Sequence, residues 1–158
     1  MGGSRVDADD CFAIQQLAVT YADCVSRGDV TAAVAVYAPD GRLETPTTQP
    51  AIGRAAIEAT ISSTVRTLEM VFQTVHLGLI RIDGNRALSR TPITEWARRE
   101  SDSQPFLFLG WYEDEAVRLA EGWRFSRRRL IPRTFARPDF LSGAMQPVNA
   151  LSLEFPLS

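Results

Sequence analysis

The sequence predicts an α+β fold, with helices packed on one face of a curved, mainly antiparallel sheet. Two observations carry this. Stretches with apolar residues at helical spacing all fall before residue 69, and long runs rich in β-branched and aromatic residues fill 70–130. Turn residues rather than helical stretches separate those runs, which makes neighbouring strands antiparallel. Helices grouped ahead of strands can bury their apolar stripes only against one face of the sheet.

The first helix spans 9–27, with Ile14, Leu17, Ala18, Tyr21 and Val25 on one face. Asp7, Asp9 and Asp10 suit the positive end of its dipole, and Gly28 closes it. Asp29 is placed to cap a shorter helix over 30–37, which Ala38-Pro39-Asp40-Gly41 ends as a turn. A short strand covers 42–45, a loop 47–50, and a third helix 54–68, with Ala56, Ile57, Ile61 and Val65 on one side. Strands are then expected over 70–82, 86–98, 105–113 and 122–130, with Asp83-Gly84-Asn85 as a hairpin turn. The tail, 133–158, is rich in proline and apolar residues and is expected to wrap the domain, a partner subunit or the mouth of a pocket.

At 158 residues the chain has room for one domain, here 1–132 followed by the tail. A net charge of −2 argues against nucleic acid as a partner, because phosphate binding needs concentrated positive charge. The dense basic run Arg127-Arg128-Arg129 falls in a strand, where alternate side chains point to opposite faces. Cys11 and Cys24 sit in one helix about 20 Å apart, so they cannot bond to each other. With a lone histidine they supply neither a disulfide framework nor a metal site, and a reducing cytoplasm is the expected compartment. The start of the chain is polar and acidic, unlike a signal peptide, and no run of about 18 apolar residues suggests a membrane span.

Several short motifs occur in an order that resembles a known family. They are Tyr21-Ala22-Asp23, Arg27-Gly28-Asp29, Tyr37-Ala38-Pro39-Asp40-Gly41, Ile52-Gly53-Arg54, Thr74-Val75-His76, Ile82-Asp83-Gly84, Gly110-Trp111-Tyr112 and Gly122-Trp123-Arg124. Together, over about 8–132, they resemble a SnoaL-like domain of the nuclear transport factor 2-like superfamily. The resemblance implies a cone-shaped roll, about three helices and a curved sheet enclosing an apolar pocket, usually in a homodimer. It also implies an enzyme of small-molecule metabolism, a dehydratase, isomerase or cyclase, working on a hydrophobic substrate without metal or organic cofactor.

His76, the single histidine, matches the base of the dehydratase branch and lies in an apolar run. Ser26 stands where that branch carries the aspartate that orients the base. A serine can fix the ring's tautomer but brings no negative charge to stabilise an imidazolium. The expected catalytic set is therefore His76, Ser26 and Tyr21, with Glu44, Phe72, Arg90, Trp96 and Trp111 as substrate-binding residues and Glu95 as a further possibility. Asp23 falls on the far side of the first helix and reads as a surface carboxylate. Two other readings remain: a hydrophobic-ligand binder without turnover, for which Ser26 speaks, and a structural subunit resembling the small subunits of ring-hydroxylating dioxygenases.

Overall fold

A computed structural model describes residues 8–102 and 104–137. Three helices, α1 (Ala8–Ser26), α2 (Val30–Val34) and α3 (Arg54–Val65), combine with seven strands. The strands are β1 (Tyr37–Glu44), β2 (Ala51–Ile52), β3 (Leu68–Val75), β4 (Leu79–Asp83), β5 (Arg86–Arg99), β6 (Phe106–Leu119) and β7 (Gly122–Ala136). They form one sheet in the order β2-β1-β7-β6-β5-β3, with β4 also on β5. Every pairing is antiparallel except β1 on β7. The α+β class, the helices on one face and the curved, mostly antiparallel sheet are as the sequence predicts.

The stripe predicted on α1 is the buried one: Ile14, Leu17, Ala18, Tyr21 and Val25 lie in the core with Ile93, Tyr112 and Phe125 from the sheet. Gly28 (φ 73°) ends the helix in the left-handed conformation that a side chain disfavours. Asp29 caps α2 as expected, its Oδ1 accepting from Ala32 N at 3.1 Å.

Three expectations need correction. The second helix stops at Val34, and the predicted turn Ala38-Pro39-Asp40-Gly41 lies inside β1. Tyr37 pairs with Phe125, and the strand is irregular between Tyr37 and Arg42, so the turn-forming residues make a bulge in a strand that β7 holds in place. Second, the strand expected over 70–82 is two strands, interrupted at residues 76–78. β5 serves both, β4 along its first part (Arg86–Arg90) and β3 along its second (Ile93–Arg99). Gly78 makes the break possible: a Cβ there would sit 2.7 Å from Arg90 O and from Thr91 Oγ1. Gln15 of α1 clamps the break, its Nε2 donating to His76 O and its Oε1 accepting from Gly78 N, both at 3.2 Å. Third, β6 and β7 outrun their predicted lengths, and β7 continues to Ala136. The tail beyond Arg137, expected to wrap the domain, a partner subunit or the pocket mouth, lies outside the described residues.

Candidate active site

The inner face of the sheet, α1, α3 and the segment after β1 enclose a cavity of about 500 Å³. Its walls are mostly apolar, from Val25, Ile61, Val71, Phe108, Leu130 and Phe135. Polar groups from four elements converge in it: Tyr21 of α1, Gln73 of β3, Glu95 of β5 and Tyr112 of β6. An apolar cavity with a few convergent polar groups is the usual form of a small-molecule site.

The register explains why these side chains meet. Gln73 lies opposite Glu95, and Glu95 opposite Phe108, so all three share the inner face. Gln73 Nε2 donates to Glu95 Oε2 at 2.6 Å, while Gln73 Oε1 is buried without a hydrogen-bond partner among the described residues. Burial raises the Glu95 carboxyl above the ordinary carboxylate range, and the bond from Gln73 opposes that rise without cancelling it.

Behind the cavity lies a buried ion pair. Arg128 donates through Nε and Nη2 to the two oxygens of Asp114, each at 2.8 Å, and neither side chain is exposed. The guanidinium lies 4.0 Å from the ring centre of Tyr112, 4.2 Å from that of Phe125 and 4.6 Å from that of Tyr21. Burial acts against charge on Arg128, but Asp114 outweighs it and holds the guanidinium above its ordinary pKa. Tyr21 meets Tyr37 and Tyr112 edge to face, centroids 6.0 and 5.8 Å apart. Burial pushes the hydroxyls of Tyr21 and Tyr112 up, against the pull of Arg128, so both remain protonated donors at neutral pH.

The residues singled out from the sequence divide sharply. Tyr21 lines the cavity. Ser26 lies beside it without touching His76: its Oγ donates to Ala22 O at 2.7 Å and accepts from Gln73 N at 2.8 Å. His76 is exposed in the break between β3 and β4, its Nε2 3.3 Å from Thr94 Oγ1. The residue on β3 that α1 reaches through Ser26 is thus Gln73, three positions before the histidine.

The five expected substrate-binding residues all sit on the outer face. Phe72 lies opposite Trp96, and Trp96 opposite Leu107, one residue out of phase with the inward Gln73, Glu95 and Phe108. Trp111 alternates with the inward Gly110 and Tyr112 in the same way. Arg90 is paired with Glu113 at 2.6 Å beside an open outer groove, and Glu44 is held by Arg42 and Arg127. Asp23 forms an exposed pair with Arg27 at 2.9 Å, as its position on α1 suggested.

Gln73, Tyr112, Asp114 and Arg128 were not singled out from the sequence. Phase offered a signal, since Asp114 shares the phase of Tyr112 and Ala116, and Arg128 must face opposite to Arg127 and Arg129.

Comparison with known proteins agrees with this architecture. The family model described as a SnoaL-like domain matches residues 7–129. An uncharacterised protein of Mycobacterium tuberculosis is 28% identical over 127 residues, covering 79% of this chain and 86% of its own. A candidate aromatic ring hydroxylase from Novosphingobium aromaticivorans superposes with a TM-score of 0.78 at 19% identity, over 84% of this chain and 95% of that one. A candidate scytalone dehydratase from the same organism gives 0.74 at 18% identity, over 89% and 94%. At such identities these two structures share the fold.

Proposed function

Since this chain belongs to the SnoaL-like domain family of the nuclear transport factor 2-like superfamily, a family of small-molecule enzymes, we propose that it moves a proton on an apolar substrate held in the cavity, with Glu95 as the acid/base. The reaction class is dehydration, isomerisation or cyclisation of a ketone- or hydroxyl-bearing, cyclic molecule.

The observation that carries this reading is the environment of Glu95. A carboxylate in an apolar enclosure, fastened on one oxygen by Gln73, has its pKa raised toward the operating pH, which strengthens it as a base and keeps it useful as an acid. In the step proposed, the carboxylate takes the proton from carbon next to a carbonyl. The C–H electron pair becomes the enolate double bond, and charge develops on the carbonyl oxygen. Tyr21 or Tyr112, protonated and backed by Arg128, donates a hydrogen bond to that oxygen. Returning the proton to another carbon completes an isomerisation, and protonating a departing hydroxyl completes a dehydration. Ser26 positions β3, and with it Gln73, through the backbone bond.

The test follows conjugated-enone absorbance across a panel of cyclic enones and β-hydroxy ketones, with wild type, Glu95→Gln and His76→Ala in parallel. Turnover should vanish in Glu95→Gln and persist in His76→Ala. The reverse pattern would return the chemistry to the histidine. A ligand-binding protein without turnover is the second reading, favoured by Ser26 and Gln73, neither of which ionises. It would bind panel members equally well with and without Glu95. The expected homodimer is part of the proposal, with the half-buried Trp96 and Trp111 of the outer face as its contact.

A further inference from the structure

Among the described residues that line the cavity, two are charged, Glu95 and Arg99. Both belong to the inward set of β5, four residues apart, which at strand rise separates them by about 13 Å. The stretch between them holds Ala97, fully buried, and faces the apolar walls.

Arg99 marks the outer end, where β5 finishes. Its guanidinium lies 5.8 Å from the ring centre of Phe106, another cavity residue, which holds the charge over the opening. Among the described residues it forms no ion pair. The nearby carboxylate, Asp102, is already taken by Arg137 at 2.5 Å and accepts from Gln104 N at 3.1 Å. That backbone bond, Arg137 and Arg99 all hold the Asp102 carboxyl below its ordinary pKa. Of the two arginines that act on Asp102, Arg137 is the one bonded to it.

From this geometry we infer that the substrate is an apolar carboxylate, its anionic end on Arg99 at the mouth and its reacting carbon about 13 Å deeper, at Glu95. The inference rests on the cavity being the active site. A guanidinium forks onto a carboxylate through two parallel N–H bonds, whereas the ionised Glu95 repels a second anion at the deep end. Opposite charges at the two ends set the direction of entry, and the apolar wall between them sets the length of the body.

A matched pair of fluorescent probes tests this without a known substrate: pyrenebutanoate, and pyrenebutanol, which has the same ring and chain but no charge. Their dissociation constants are measured by fluorescence titration on wild type, Arg99→Gln and Arg99→Lys, with folding checked by thermal denaturation. Arg99→Gln should weaken the butanoate about ten-fold and the butanol by less than about two-fold. Arg99→Lys should keep most of the preference for the anion. Equal changes for both probes in Arg99→Gln, or no binding of the butanoate by wild type, would overturn the proposal. Glu95→Gln separates this outcome from the catalytic reading: it should leave the butanoate bound at least as tightly as wild type does. Turnover that survived Glu95→Gln alongside an Arg99-dependent preference would reject the acid/base role and leave the anion site standing.

Discussion

Replacing Asp114 by asparagine keeps the volume of the side chain and removes its charge, leaving Arg128 cationic in a place where neither side chain is exposed. Breaking a buried pair by removing one partner costs about 3–5 kcal/mol, because the remaining charge has lost both water and counter-charge. Three rings with centroids 4.0, 4.2 and 4.6 Å from the guanidinium offset part of that loss. This puts the expected cost at the lower end, about 3 kcal/mol. For a chain of this size each kcal/mol lowers Tm by about 2–4 °C, so Asp114→Asn should melt about 6–12 °C below wild type. Differential scanning calorimetry measures the shift, and urea titration followed by circular dichroism gives the free energy independently. The control is the double variant Asp114→Leu/Arg128→Met, which removes both charges at similar volume and should recover most of the loss. A melting point for Asp114→Asn within about 2 °C of wild type would refute the reasoning, since it would mean that Arg128 is hydrated or neutralised some other way.

Glu95→Gln should raise thermal stability at neutral pH while abolishing turnover, because the fold strains against a desolvated carboxylate. The folded pKa lies above the unfolded one, so the native state binds the proton more tightly and loses stability as pH rises between the two values. The advantage of the glutamine variant should accordingly be absent below about pH 4, where both states are protonated, and complete above the folded pKa. An equal Tm difference at about pH 3.5 and about pH 7.5, below and above the ordinary glutamate value of about 4.3, would contradict this. Gln73→Leu removes the bond that favours the ionised form, so the acid limb of the pH–rate profile should move to higher pH, and an unmoved limb would take Glu95 out of the rate equation. Gly78→Ala puts a methyl 2.7 Å from Arg90 O and should cost about 1–3 kcal/mol in urea titration, with the loss concentrated at the β3–β4 break; hydrogen exchange at the Gly78 amide reads the local part.

What could be read from the sequence was whatever depends on local spacing. The buried stripe of α1, the Asp29 cap and the left-handed Gly28 are decided within a turn or two of helix, and each stands where periodicity puts it. The site depends on longer-range facts. Phe72, Trp96 and Trp111 are as apolar as any cavity residue, and only strand phase tells that they face outward. A single step of phase exchanges Trp96 for Glu95. His76 drew attention by its chemistry and its apolar neighbours, but its place is decided by the close approach at Gly78, which breaks the strand there. That Ser26 meets Gln73 is a matter of how α1 lies across β3, a contact between residues 47 apart that no local pattern encodes. The Arg128–Asp114 pair is the intermediate case: alternation turns both inward, and pairing follows from the register of β6 with β7.

The parallel pairing of β1 with β7 dictates an order of assembly. Tyr37 must wait for Phe125, and Glu44 for Arg127, before the first third of the chain has a sheet to lie on. During synthesis β1 has only the two-residue β2 as a strand partner until the chain from residue 122 onward supplies β7 on its other edge. Completion of the sheet therefore waits on closing the loop between two strands at opposite ends of the domain, a contact of high sequence separation that slows folding.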